Sequence, residues 1–240
     1  MKIKSIIATL GLALLAVAST AFVQKTPQKT SPLEAAEKEA FLQYLSQFKK
    51  VELPYSIGLD NFKGYENYLG KPIKKTVAKP NVVRIKATPF LPESNAGKFS
   101  RMGPPTLEAI ARFYPNDQMV AVVYSSKPPF GGEEHLNYRM VVYDLNGNIL
   151  PKQKDKLAYR QAFDLAYSST DKTMTCTIDA SGNISQGTYT NQWLKDLYKH
   201  GMEDNKITGV KQEKTSNYRL NSRGEFVESK HGAIASRAEP

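Results

Sequence analysis

Two carboxylates, an imidazole and an aromatic ring crowd into one nine-residue segment, Lys127-Pro-Pro-Phe-Gly-Gly-Glu-Glu-His135. Phe130, Glu133, Glu134 and His135 are its chemistry-bearing side chains. Three adjacent ligand-type residues on a loop do not complete a metal site, which draws its ligands from separate elements. An apolar ring beside two carboxylates suits recognition instead, with Phe130 as the apolar contact and the carboxylates meeting a polar or cationic group. The segment joins two strongly apolar runs and exceeds the 2–5 residues usual for a hairpin loop. Loops carried on rigid sheets are where binding residues concentrate. The plain alternative is a surface loop stiffened by its prolines.

A second candidate is electrostatic. No acidic residue lies between Glu66 and Glu93, while Lys71, Lys74, Lys75, Lys79, Arg84 and Lys86 are all basic. Such a stretch fits an anionic glycan, lipopolysaccharide or phospholipid headgroups, or it serves as a solvated face that aids solubility. Nucleic acid is not expected, because no recognition-helix pattern or aromatic RNA-binding strand accompanies the charge.

Other spacings fail on a required part. Asp144-Leu-Asn-Gly-Asn148, with Asp155 at the twelfth position, places oxygen ligands at alternate residues. Ile149, however, stands where a calcium loop needs glycine for its sharp turn, so a hairpin is expected there. Ser46-Gln-Phe-Lys49 and Ser169-Thr-Asp-Lys172 match Ser-x-x-Lys but lack the Lys-Thr-Gly and Ser-Asp-Asn companions of penicillin-recognising enzymes. His135, His200 and His231 are scattered, and neither His-Glu-x-x-His nor Gly-x-Ser-x-Gly occurs. No catalytic residue, metal ligand or cofactor is therefore assigned. Carboxylates from separate strands that meet in space are the remaining route to catalysis.

The elements that must position these residues begin after an address. Lys2 and Lys4, an apolar run from Ile6 to Ala18 and small residues through Ala21 follow the order of a secretory signal peptide. The run falls short of the ~20 residues of a membrane span, so no span is expected in the mature chain. Cleavage near residue 19 or 22 is expected, giving a signal peptide over 1–21 and a polar leader over 22–31. One β-rich domain over 32–230 and a frayed tail over 231–240 complete the chain. Beyond Ala21 there remain 31 Lys and Arg against 23 Asp and Glu, a net charge of +8. The single cysteine, Cys176, has no intrachain partner, so this exported fold must be held by its core.

Ser31-Pro32-Leu33-Glu34 is a capping box with proline at the first helical position. Leu33, Ala36, Ala40, Phe41, Tyr44, Leu45 and Phe48 then recur at helical spacing, predicting a helix over 32–48. Val51–Ile57 is extended, and eleven Gly and Pro residues between 58 and 105 dictate short strands and loops, with a strand at Asn81–Ala87. Strands are expected at Leu107–Phe113 and Gln118–Tyr124 around a turn at Tyr114-Pro-Asn-Asp117, the second apolar on both faces. Further strands are expected at Leu136–Asp144, Tyr159–Ser168 and Lys172–Ile178, where Met174, Cys176 and Ile178 share the core face. A short helix over 191–200 with Gly201 as its stop, a strand at Thr215–Asn221 and a closing strand at Glu225–Glu228 follow. One pattern recurs in Tyr143-Asp-Leu-Asn-Gly-Asn-Ile149, Ile178-Asp-Ala-Ser-Gly-Asn-Ile184 and Leu220-Asn-Ser-Arg-Gly-Glu-Phe226. Each is a strand turning on a glycine corner and going back. The expected fold is mainly β, an antiparallel meander forming a curled sheet or sandwich, with an N-terminal helix after the signal peptide.

Phe48–Ile57, the Tyr-Asp-x-x-Gly-x-Ile hairpin at 143 and the closing Tyr-Arg-Leu-x-x-x-Gly-Glu-Phe at 218 resemble uncharacterised exported β-rich proteins of Gram-negative bacteria. The resemblance covers about half the chain and implies a periplasmic or secreted β fold, with no functional residue to transfer. The functional expectation is an exported, non-catalytic binding or envelope-associated protein with an envelope or extracellular partner. An extracytoplasmic enzyme acting on polymer through paired carboxylates and a polyanion-binding module are the alternatives.

Overall fold

The computed structural model describes residues 32–70, 85, 89–92, 105–129, 135–151, 156–162, 169–202 and 205–229. The expected signal peptide, leader and tail lie outside these residues, as does the Asn81–Ala87 strand apart from Ile85. Helix α1 spans Pro32–Ser46. Ala, Glu, Leu and Lys dominate it, all strong helix formers, and Glu34 sits in the first turn, where the helix dipole favours a carboxylate. Only the second half of the expected stripe is buried: Phe41, Tyr44, Leu45 and the following Phe48 are sealed, while Ala36 and Ala40 are exposed. The helix ends in a tightened turn, Phe48 N donating to Leu45 O, and Arg112 Nη1 donates to the same carbonyl at 2.8 Å.

Strands β1 (Lys49–Lys50) and β2 (Tyr55–Ile57), a 3-10 turn at Leu59–Asn61 and helix α2 (Glu66–Leu69) follow. A meander then runs through β3 (Thr106–Asn116), β4 (Met119–Lys127), β5 (Asn137–Asp144), β6 (Lys156–Ala162), β7 (Thr170–Ile178) and β8 (Ile184–Trp193). A single helical turn, α3 (Leu197–His200), precedes β9 (Ile207–Leu220) and β10 (Phe226–Glu228).

The expectation of a curled sheet or a sandwich is corrected. Hydrogen bonding runs as one open path, β1-β3-β4-β5-β6-β7-β8-β9-β10, and β1 joins it parallel to β3, so the sheet is mixed and not closed. The continuity comes from β6, whose first residues pair with β5 and whose last pair with β7. Where β6 leaves β7, β2 takes its place against Cys176–Ile178, and Gln186 Nε2 donates to the carbonyls of Lys156 (2.9 Å) and Leu157 (2.6 Å). Turn and alternation signals specify neighbouring pairs; they do not specify how the whole path of strands bends.

Strand β4 and the second half of β5 are buried on both faces. Val120, Val122, Tyr124, Val141 and Tyr143 pack with Phe41, Tyr44, Leu45 and Phe48 of the helix side. Ala121, Val123, Met140 and Val142 pack with Ile57, Cys176, Ile178 and Ile184 on the other. Cys176 is a buried core thiol outside any disulfide, as its strand face predicts.

Two local expectations are also corrected. The first reversal falls at Asp117–Gln118, because β3 continues through Pro115 to Asn116 with a register slip after Phe113. A bulge accommodates a residue without an N–H, and Asn116 Oδ1 accepts from Gln118 N at 2.9 Å. The helix expected over 191–200 shrinks to Leu197–His200. Asn191 and Trp193 instead end β8, where pairing with Asp171 and Ile207 and a shared buried face at period two override the apparent helical spacing.

Candidate functional site

Of the four residues singled out in the 127–135 segment, His135 is described: it is half-buried, and its carbonyl accepts from Asn137 Nδ2 at 3.0 Å. Phe130, Glu133 and Glu134 lie outside the described residues, as do Lys71, Lys74, Lys75, Lys79, Arg84 and Lys86. What the structure does show is the base of the segment. The β4–β5 ladder keeps register from Met119↔Asp144 to Ser126↔Asn137. The next residue, Leu136, is buried, and its carbonyl accepts the backbone N–H of Arg160 at 2.9 Å.

Arg160 is the centre of a cluster that the sequence reading did not anticipate. Its side chain and that of Asp171 are both fully buried, with Nε donating to Asp171 Oδ2 at 2.6 Å. Asn191 Nδ2 donates to the other carboxylate oxygen at 2.6 Å and to Thr173 Oγ1 at 2.9 Å. The hydroxyl of Tyr65 donates to Asn191 Oδ1 at 2.6 Å. Arg160 Nη1 donates to the carbonyl of Lys63, and the guanidinium lies over the rings of Trp193 (5.0 Å) and Tyr65 (5.5 Å). Burial pushes the Tyr65 phenol well above its ordinary value, so it stays a hydrogen-bond donor.

Local structure explains how these groups meet. β6, β7 and β8 pair so that Arg160, Thr173, Asp171 and Asn191 share one face. The Leu59–Leu69 segment covers that face. Gly64 permits the approach: its φ is +95°, and the Trp193 indole occupies the space a Cβ would need. A buried ion pair is costly unless every partner is satisfied. Here two donors, Arg160 Nη2 and Trp193 Nε1, are buried with no hydrogen-bond partner among the described residues. The signal available in the sequence was a charged residue on each of two successive strands, Arg160 in phase with Ala158 and Asp171 in phase with Thr173.

The Asp or Asn that heads each of the three recurrent turns is occupied differently. Asp144 Oδ1 accepts from the backbone of Asn146 (2.8 Å) and Asn148 (2.9 Å), and Oδ2 from Asn148 Nδ2 (2.8 Å). Asp179 repeats this with Ser181 and Asn183, and Asn221 accepts from Arg223 and Glu225 in the same way. Each turn closes on a glycine with φ of +93° (Gly147), +77° (Gly182) or +76° (Gly224). Slight burial raises the Asp144 and Asp179 carboxyls, but the hydrogen bonds outweigh it and hold both below the ordinary value. Asp144 thus closes its own turn, and the antiparallel bridge Tyr143↔Ile149 makes the segment the expected hairpin. No group of three or more His, Cys, Asp or Glu able to hold a metal ion occurs among the described residues, and none of their helices is long and apolar enough to cross a membrane.

Comparisons with family models, with curated proteins and with solved structures find no match to this chain.

Proposed function

We propose that this chain is an exported, non-catalytic binding or envelope-associated protein that presents its 127–135 segment to a periplasmic or extracellular partner. The observation that carries the reading is the base of that segment, a β4–β5 ladder without a slip and with β4 buried on both faces. Such a base holds a loop without needing the loop for its own stability. Phe130 supplies the apolar contact, and Glu133 and Glu134 meet a polar or cationic group. The aspartates Asp144, Asp171 and Asp179 support a non-catalytic reading, since each is engaged by hydrogen bonds within the fold. Export rests on the charged, apolar and small-residue order of residues 2–21 and on the resemblance to exported β-rich proteins. An anionic glycan or lipid headgroup suits the basic surplus and the residues 71–86. N-terminal sequencing after fractionation tests export: a soluble extracytoplasmic form starting near residue 19 or 22 is expected, and an intact Met1 in the membrane fraction contradicts it.

A further inference from the structure

We infer that Asn146 is a site of spontaneous covalent modification, losing its side-chain nitrogen as ammonia to become aspartate and isoaspartate in the folded protein. The three recurrent turns supply the comparison. Each has Asp or Asn at its first position and a glycine of positive φ at its fourth, but the residue before that glycine differs. It is Asn146 in the first turn, Ser181 in the second and Arg223 in the third. Asn146 is exposed, and its side-chain amide makes no hydrogen bond among the described residues. The other asparagines of these turns are tied through Nδ2: Asn148 to Asp144 (2.8 Å), Asn183 to Asp179 (3.0 Å) and Asn221 to Glu225 (2.9 Å). They are also followed by residues with side chains, Ile149, Ile184 and Ser222, whereas Gly147 brings no Cβ to the backbone nitrogen beside Asn146. That nitrogen donates to Asp144 O at 3.2 Å, a bond that opens for the reaction.

Water is the only co-reactant. Solvent base removes the proton of Gly147 N, and the nitrogen attacks Asn146 Cγ. The bond from Cγ to the amide nitrogen breaks, ammonia leaves with a proton from water, and a cyclic imide joins the two residues. Water then opens one of the two imide C–N bonds. Opening at Cγ leaves aspartate on an unchanged backbone. Opening at the main-chain carbonyl carbon routes the backbone through Cγ and gives isoaspartate. Either product places a new carboxylate beside Asp144. Isoaspartate also lengthens the backbone before Gly147, in a turn whose glycine lies against the Phe41 ring. The site is independent of where the protein is exported and of what the 127–135 segment binds.

The test incubates the intact folded protein at neutral and mildly alkaline pH, digests it under mildly acidic conditions and maps the peptides by mass, with isoaspartate detected by enzymatic methylation. The peptide holding Asn146 should gain about 1 Da, the exchange of an amide nitrogen for a hydroxyl oxygen. Asparagine is among the thermolabile residues, and conversion at Asn146 should be on the order of tenfold faster than at Asn148, Asn183 or Asn221. The rate should rise with pH, because the attacking nitrogen must lose its proton. Asn146→Gln, at a side chain that bonds nothing among the described residues, should abolish the mass gain and the methylation signal. The same incubation in guanidinium separates the folded turn from the bare sequence. Conversion confined to the unfolded chain, no conversion in the folded protein, or conversion at Asn148 or Asn183 as fast as at Asn146 overturns the inference.

Discussion

The two ends of the sheet are built on different principles. Because β3, β5, β7 and β9 run in one direction, the reversals at 117–118, 144–148, 179–183 and 221–225 all fall at one end. Each of the last three closes with bonds spanning two to four residues. At the other end the connections 128–136, 163–169 and 194–206 are long, and the Arg160 cluster joins groups up to 126 residues apart. Each of these turns is therefore closed by its own local hydrogen bonds. The far end stands or falls as one buried unit beside the root of the 127–135 segment. Local closure resists damage one turn at a time; a shared buried charge pair transmits damage to every member.

The largest effect expected is at that pair. Asp171→Ala leaves Arg160 buried without its counter-ion and should cost about 3–5 kcal/mol, read as a lower urea midpoint. A loss below about 1 kcal/mol would mean that water reaches the pair and that the two ends do not differ. At the turn end, Gly147→Ala must place a side chain at a φ of +93° with its Cβ 2.9 Å from the Phe41 ring. A cost of about 1–3 kcal/mol is expected, and thermal unfolding at unchanged cooperativity would show it to be local.

Acid sharpens the contrast further. Asp144 and Asp179 have folded pKa values below the unfolded value of about 3.9. Their contribution is complete above that value and disappears as pH falls through the folded one. Replacing both with Asn, the residue already present at Asn221, should leave neutral-pH stability nearly intact and flatten its acid-side decline. An unchanged acid profile would remove the turn carboxylates from the account. The smallest effect is expected in the segment that leaves the far end: Phe130, Glu133 and Glu134 replaced together by Ala should shift stability by no more than about 0.5 kcal/mol per site. Unfolding of that variant would show the segment to be structural packing and would remove it as the recognition site.

How much of this was legible in the sequence follows the same division. The turn motif was visible because Asp or Asn, then glycine three residues on, carries its own closure, and all three copies form the same turn. The strands at Leu136–Asp144 and Lys172–Ile178 and the burial of Cys176 were visible because alternation is local. Trp193 was misread because its spacing from Leu197 suits a helix, while its actual partners, Ile207 and Arg160, are distant in the chain. The Arg160 cluster left only two charged residues in strand-like contexts as a trace, and a single strand reads as well with such a residue outward as inward. The open, mixed sheet was not legible because it depends on β6 dividing its pairing between two neighbours.

The claim that the far end is one cooperative unit is tested most directly by a double-mutant cycle between Tyr65→Phe and Asp171→Asn, followed by urea unfolding. These side chains do not bond each other; both bond Asn191, Tyr65 through Oδ1 and Asp171 through Nδ2. The network predicts a coupling energy of about 0.5–3 kcal/mol. Effects that add to within about 0.3 kcal/mol would show that Asn191 transmits nothing between them and would contradict the account.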